Sequence, residues 1–317
     1  MRISPIINSN ISFGDKNSIA IIPSSRPTKL EENIERKLNI NPTSTEVKKF
    51  ANGETYVNIK ENVRNKDVYL MPTLGKEVND NLMEMYLKAD ASKRMGANKV
   101  VAVLPNFPYG RQERKTEPGE PISAKLNLSL LHASGIDEVI TSDLHAPSLQ
   151  GFPDKMNITE ISSLNSMANY IKSKNLDKNN LVVVSPDIGG AKRADKLAKE
   201  LDCEKAIIYK SRTEHNQSMA ETLFGNVEGK DCIIYDDIID TAGTISNAVK
   251  MLKDNKANRI YVCASHGLFN GNAIDKLKKC PIEEIIVTND EFKPTYNKIK
   301  QIDISNEIVG AILDISG

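Results

Sequence analysis

The stretch Asp231-Cys232-Ile233-Ile234-Tyr235-Asp236-Asp237-Ile238-Ile239-Asp240-Thr241-Ala242-Gly243-Thr244 decides the fold. Its apolar run, Cys232 to Tyr235, predicts a buried strand. Two acids, two isoleucines and a small polar turn follow. Beyond Gly243, Ile245, Ala248, Val249 and Leu252 recur at helical spacing. The acids and small residues therefore fall at a strand's carboxyl end and a helix's amino end, where open α/β sheets bind ligands. Backbone N–H groups at a helix start carry partial positive charge and suit a phosphate. Thr241 and Thr244 add hydroxyl donors, and Ala242 and Gly243 let the backbone come close. Asp236 and Asp237 suit sugar hydroxyls instead, or a magnesium ion reached through water. A turn that grips a phosphate and also reads a diol points to a ribose phosphate. The plainer reading is a capped helix with solvated acids.

The same rhythm extends in both directions. Ile19 to Ile22, Val47 to Phe50, Val57 to Ile59, Asp67 to Met71, Val100 to Leu104 and Glu138 to Thr141 predict strands. Helical spacing covers 28–38, 79–95 and 122–134. In the second half, strands are predicted at 181–184, 206–209, 259–264 and 284–287. Helices are predicted at 161–173, 190–201 and 273–278, with a last one near 306–312 that could pack on either half. Strands alternating with helices imply mostly parallel sheets flanked by helices. Two such sets meeting near residues 150–162 predict an α/β fold of two similar domains, 1–160 and 161–317.

Bulk composition narrows the classes. Lys and Arg total 42, as do Asp and Glu, so no basic excess favours nucleic acid or a membrane surface. Hydrophobic content of 39% and charged content of 26% are those of a globular chain. Cys203, Cys232, Cys263 and Cys280 are far apart, with no C-x-x-C pair, which argues against zinc or a disulfide framework. The absence of a secretory apolar region or a bilayer-length apolar run predicts a cytoplasmic protein.

Four further segments carry chemistry. Ser185-Pro186-Asp187-Ile188-Gly189-Gly190 follows a V-V-V strand and repeats the pattern of acid and glycines at a strand-to-helix junction. Asp187 there would reach a magnesium ion or a sugar; alternatively the glycines only permit close packing. His145, in Ser142-Asp143-Leu144-His145-Ala146, is a metal ligand or acid–base group at a sheet edge, or a structural histidine. Arg111, Arg114 and Lys115 beside Tyr109 suit a polyphosphate nucleotide, since guanidinium clamps phosphate oxygens and a ring stacks on a base. Tyr209-Lys210-Ser211-Arg212 opens a polar stretch, to about Phe224, with no apolar pattern; such stretches often act as lids. A Lys and an Arg at its base would stabilise charge on a transferring phosphoryl group.

Taken together, F-A-N-G-E (50–54), E-N-V-R (61–64), N-D-N-L-M-E (79–84), R-Q-E-R-K (111–115), P-I-S-A-K-L (121–126), S-D-L-H-A (142–146), V-V-V-S-P-D-I-G-G-A-K-R-A (182–194), K-S-R (210–212) and D-D-I-I-D-T-A-G-T (236–244) resemble the ribose-phosphate pyrophosphokinases of the phosphate-dependent type. The resemblance runs from about Ile19 to Ile312. It implies two phosphoribosyltransferase-like domains, the first carrying the ATP loops, the second the ribose 5-phosphate site and catalytic loop. It implies transfer of the β,γ-pyrophosphoryl group of ATP to the anomeric hydroxyl of ribose 5-phosphate, with AMP leaving. By the same resemblance Phe50, Asn52, Gly53, Glu54, Arg111, Gln112 and Arg114 hold ATP. Asp236, Asp237, Asp240, Thr241, Ala242, Gly243 and Thr244, with Arg212, hold ribose 5-phosphate. His145 and Asp187 bind Mg2+, and Lys210 and Arg212 are catalytic. Inorganic phosphate is implied as activator, and a homohexamer in which a neighbouring subunit completes the ATP site.

The chain departs from the family pattern in places. Asn52 and Glu113 stand where Asp is usual, and Asn106, Pro108 and Gly110 alter the run before Arg111. Ser211 and Glu214 lower the positive charge of the catalytic loop, and the chain stops soon after Ile312, where the family often continues. A non-catalytic paralogue would be expected to lose Lys210, Arg212 or the sugar-phosphate turn, and this chain keeps all three. A phosphoribosyltransferase would not need the nucleotide loop at 111–115 or the D-L-H-A segment in a second domain.

Overall fold

The computed structural model describes residues 18–73, 75–153, 155–211, 220–290 and 295–317. Its first half is a parallel sheet of β1 (Ile19–Ile22), β4 (Asp67–Leu70), β5 (Lys99–Val103), β6 (Glu138–Ser142) and β7 (Asn157–Ile161), in the order β1-β4-β5-β6-β7. These strands read as unbroken apolar runs because both faces are covered. Ala20, Val68, Leu70, Val100, Ala102 and Val139 face α2 (Val78–Arg94) and α3 (Ser123–Ala133). The alternate residues Ile19, Ile21, Tyr69, Val101, Val103 and Ile140 face α1 (Lys29–Leu38). They also face α8 (Ser305–Ser316), the last helix of the chain, through Ile308, Ala311 and Ile312. The final helix thus packs on the first sheet, held by Tyr69 Oη donating to the Ile312 carbonyl at 3.0 Å. Between β1 and β4, β2 (Thr45–Lys49) and β3 (Thr55–Ile59) form a separate antiparallel hairpin.

The second half is a larger sheet. It contains β8 (Leu181–Ser185), β9 (Glu204–Ser211), β10 (Ala220–Phe224), β11 (Asp231–Ile239), β12 (Ile260–Gly267), β13 (Glu284–Thr288) and β14 (Ile299–Ile302). The order is β10-β9-β8-β11-β12-β13-β14, and only β10 runs antiparallel. Helices α4 (Leu164–Ser173) and α5 (Ala191–Leu201) cover one face, and α6 (Gly243–Asp254) and α7 (Ala273–Lys278) the other. The α/β class and the flanked parallel sheets are as the sequence predicts.

Three local expectations are corrected. Residues 157–161 form a strand, and the helix expected from Ile161 starts at Leu164; pairing of Ser142 with Ile161 across β6 and β7 claims the segment for the sheet. The polar stretch after Tyr209 does not stay irregular to Phe224: Ala220–Phe224 pairs back on β9 as the sheet's edge. Strand β11 also outlasts its apolar run. It continues through both acids to Ile239, because β12 is long enough to pair Asp236 with Ala264 and Ile239 with Gly267.

Candidate active site

The segments that carry Arg111, His145, Asp187 and Asp236 meet at the carboxyl ends of the two sheets. Because β11 extends, Asp236 and Asp237 are strand residues rather than turn residues. Asp237 is buried, with its neighbour nearly so. Its Oδ2 is 2.6 Å from Nδ1 of His145, which belongs to the loop after β6. Arg193, on α5, lies 3.5 Å from Asp237 and 3.9 Å from Asp236. Burial works against charge on Asp237, but the bond to His145 and the field of Arg193 outweigh it and hold this carboxyl below the usual range. The opposite holds for Asp236, raised by burial and by the charge of Asp237 beside it. The bond to Asp237 raises His145, with burial opposing. Adjacent acids are thus set apart: one ionised and locked to histidine and arginine, the other biased toward its protonated form.

In the turn after β11 the two small residues play different parts. Gly243 begins α6, and a Cβ there would meet nothing within 4 Å. The left-handed residue is Ala242, with φ of 59°, a conformation that costs a non-glycine residue about 1–3 kcal/mol. No side chain caps this helix start, so its N–H groups face the cleft. Asp240 closes the turn. Its Oδ1 accepts from Asn270 Nδ2 at 2.9 Å, and its Oδ2 accepts from Arg111 Nη1 at 2.6 Å. That last bond joins the arginine loop after β5 in the first sheet to the turn after β11 of the second. At the neighbouring junction, Asp187 Oδ1 accepts from Gly190 N at 2.9 Å, and Ser185 Oγ donates to the Asp187 carbonyl at 2.6 Å. A Cβ at Gly190 would sit 2.8 Å from Ser185 Oγ, so this glycine is required for close approach. The carboxylate of Asp187 acts electrostatically on Asp236.

Comparison with known proteins fits this geometry. Residues 19–135 match the family model described as the N-terminal domain of ribose phosphate pyrophosphokinase, and residues 216–316 match the phosphoribosyl synthetase-associated domain. The ribose-phosphate pyrophosphokinase of Fusobacterium nucleatum is 40% identical over 288 residues, 91% of each chain. That of Aquifex aeolicus is 40% identical over 298 residues, 93% of this chain and 95% of the relative. The crystal structure of phosphoribosylpyrophosphate synthetase from Mycobacterium smegmatis superposes with a TM-score of 0.88 at 32% identity, covering 94% of this chain and 98% of that one. The chain belongs to the ribose-phosphate pyrophosphokinase family.

Within a ribose-phosphate pyrophosphokinase framework, the remaining expected residues fall into three groups. Gln112 and Arg114 follow Arg111 in the loop after β5. Gln112 Oε1 accepts from Ser123 Oγ at 2.6 Å, while Arg114 is largely exposed, 3.6 Å from Glu113. The side chain of Glu113 is mostly covered, and its charge contributes to raising His145. Phe50, Asn52, Gly53 and Glu54 form the tip of the β2–β3 hairpin. Asn52 Oδ1 accepts from Glu54 N at 3.1 Å, Gly53 takes φ of 91°, and half-exposed Phe50 meets Tyr56 edge-on at 5.8 Å. The hairpin is tied to α2 by Lys49 and Asp80, 3.3 Å apart. Among the described residues, no hydrogen bond or ion pair joins its tip to the cleft. Lys210 is the next-to-last residue of β9 in the backbone, but its side chain lies outside the described residues, as do Arg212 and Glu214.

Arg193 is the site residue that the sequence reading passed over, although it stands in the quoted run 182–194. The available signal was its place in the first turn of a helix that follows Asp187. As to metal, no three His, Cys, Asp or Glu side chains among the described residues converge as a cage. Asp187 offers carboxylate oxygens and His145 a ring nitrogen. The carboxylate suits magnesium, which keeps several waters and takes one or two carboxylates plus substrate phosphates rather than an all-protein cage.

Proposed function

We propose that this chain makes phosphoribosyl pyrophosphate, transferring the β,γ-pyrophosphoryl group of ATP to ribose 5-phosphate. The observation that carries the reading is the Arg111–Asp240 bond, which sets the nucleotide loop of one sheet against the sugar-phosphate turn of the other. In the reaction the anomeric oxygen of the sugar forms a bond to the β-phosphorus. The bond from that phosphorus to the α,β-bridging oxygen breaks, AMP leaves with the electron pair, and the anomeric proton passes to solvent. An anomeric hydroxyl is more acidic than an ordinary alcohol, so no dedicated base is required. The protein's task is in-line positioning and neutralisation of charge.

The residue roles follow from that task. The open amino end of α6, with Thr241, Ala242, Gly243 and Thr244, receives the 5-phosphate. Asp236, Asp237 and Asp240 face the sugar, joined by Arg212. Arg111, Gln112 and Arg114 hold the polyphosphate, and Phe50, Asn52, Gly53 and Glu54 hold the base. Lys210 and Arg212 neutralise charge on the transferring group. His145 and Asp187 hold Mg2+, which when bound screens the phosphate oxygens. Bonding of His145 Nδ1 to Asp237 fixes the ring and leaves Nε2 as the donor to the ion. We further read residues 1–160 as the ATP-binding domain and 161–317 as the sugar-phosphate domain, with the last helix returning to the first sheet. The offset hairpin tip favours an ATP site shared between subunits of a homohexamer. Inorganic phosphate is read as activator and the cytoplasm as location. No helix among the described residues is long and apolar enough to cross a membrane.

A phosphorus NMR time course tests the reading. Protein, Mg2+, ATP, ribose 5-phosphate and inorganic phosphate are mixed, and AMP is expected to appear together with a pyrophosphorylated sugar. Folded protein that leaves ATP intact with phosphate present would overturn the reading in favour of a non-catalytic paralogue.

A further inference from the structure

Behind the cleft lies a polar junction to which the reaction assigns no role. His266, on β12, is 2% exposed, and Asp290, just past β13, is fully buried. His266 Nδ1 is hydrogen-bonded to Asp290 Oδ2. Its Nε2 lies 3.2 Å from the carbonyl oxygen of Ser142, at the end of β6 in the other half of the molecule. A carbonyl only accepts, so Nε2 carries a proton. The ring lies buried between the two sheets, away from water that would solvate a positive charge. Burial opposes that charge and Asp290 outweighs it, lifting His266 to about 9.

What His266 grips is the root of the loop that carries His145. Ser142 is three residues before it. Asp143, the next residue, takes a left-handed φ of 42°. Its carboxylate accepts from Ser162 Oγ at 3.2 Å, Ser163 N at 3.1 Å and Ser163 Oγ. Ser163 Oγ in turn meets Ser265 Oγ, the residue before His266, at 3.2 Å. Leu144 N donates to Glu160 Oε1 at 2.9 Å. A bent segment is thus pinned from β12 on one side and from the start of α4 on the other. Two buried polar atoms at this junction, Ser142 Oγ and Asp290 Oδ1, have no protein partner among the described residues. Polar groups this deep persist where they fix one arrangement.

We propose that His266, oriented by Asp290, is a positioning residue that clamps the Ser142 carbonyl and so sets His145 against Asp237 for its ligand role. The proposal rests on the reading of His145 as the magnesium-binding histidine. Outer partners of metal ligands cost about 10- to 100-fold in metal affinity or activity when removed, and this one acts through the backbone, so the lower end applies.

The test uses full-length protein with ring-labelled histidine; the chain has four histidines, and single substitutions assign their signals. In the wild type at pH 7.5, His266 is expected to carry a proton on Nε2, hydrogen-bonded to the Ser142 carbonyl. Asp290→Asn, the milder variant, is expected to shift the His145 ring signal without added metal. It should also raise the Mg2+ concentration for half-maximal rate about tenfold, with the KM for ribose 5-phosphate within twofold. His266→Gln, which keeps one N–H but not the charge, should behave alike. A wild-type ring with no proton on Nε2 would overturn the clamp, as would a folded Asp290→Asn protein with unmoved His145 signal and Mg2+ requirement. His145→Gln is run alongside. An unchanged Mg2+ requirement in that variant would defeat the metal reading itself, while the ring spectra would still decide whether His266 positions the loop.

Discussion

Substituting Asp240 by Asn distinguishes a structural bridge from a substrate contact. The carboxylate bonds Asn270 through one oxygen and Arg111 through the other. Burial disfavours its charge, but these two partners outweigh burial and keep Asp240 below the usual carboxylate range. Asparagine retains an oxygen for Asn270 but turns its amide nitrogen toward Arg111, losing both the charge and that hydrogen bond. The Arg111 side chain is 54% exposed, and pairs of that kind are worth about 0.2–1 kcal/mol. Unfolding free energy should therefore fall by no more than about 1 kcal/mol. A hydrogen bond from a charged group to substrate is worth more, about 1.5–3 kcal/mol. The KM for ribose 5-phosphate should then rise about 10- to 100-fold, with a smaller change for ATP from the freed Arg111. Steady-state rates with each substrate varied, beside a denaturant titration, separate the two quantities. If only the ATP constant moved, or ribose 5-phosphate stayed within twofold, the turn after β11 would not be the sugar-phosphate site.

Lys210→Ala should cut turnover by at least about a hundredfold, as expected for losing one preorganised charge, with modest loss of ATP binding; near-normal turnover removes Lys210 from the mechanism. Asn52→Asp preserves the acceptor for Glu54 N, so a tighter ATP constant would identify an adenine contact, and an unchanged one would make position 52 neutral. Lys88 is 1% exposed, with Nζ 2.5 Å from Glu84 and 2.6 Å from the Pro23 carbonyl. Lys88→Met keeps the volume but orphans Glu84, which still has Thr73 and Ser25 as donors, so chemical denaturation should show a loss of about 3 kcal/mol; under 1 kcal/mol would mean the carboxyl neutralises itself. Burial raises Asp231, but bonds from Arg259 and Asn258 outweigh it and the net shift is downward. Its stabilising effect is therefore full above the ordinary carboxylate pKa and fades as pH falls through the lowered one. Asp231→Asn should destabilise by about 2 kcal/mol at pH 7 and by progressively less below pH 4; a gap independent of pH would rule out the charge as its cause.

Much of the fold was legible because the strands carry their own signature. Ile19 to Ile22 and Leu181 to Val184 are apolar at every position, which only a sheet covered on both faces tolerates. The site was legible where short range decides it: an acid followed by small residues before a helical pattern is set by backbone geometry within a few residues. What stayed hidden depends on partners distant in the chain. Nothing within Asp236-Asp237 says that these acids lie on a strand; the length of β12 decides that, through pairing of Ile239 with Gly267. Nothing in the sequence says that Ala242 takes a left-handed backbone, because the turn is fixed from outside by Asn270 on Asp240 and by Lys276 Nζ on the Thr241 carbonyl. The last helix shows an apolar face but not its destination, which is chosen by Tyr69 and by Lys37 Nζ on Ser305 Oγ at 2.6 Å. Arg193 and His266 were missed for the same reason. Each looks like an ordinary element residue until the second sheet places Asp237 beside Arg193, and the end of β6 in the first sheet brings the carbonyl of Ser142 to His266. The candidate substrate residues cluster in readable motifs, whereas residues that hold those motifs in place are defined only by partners distant in the chain.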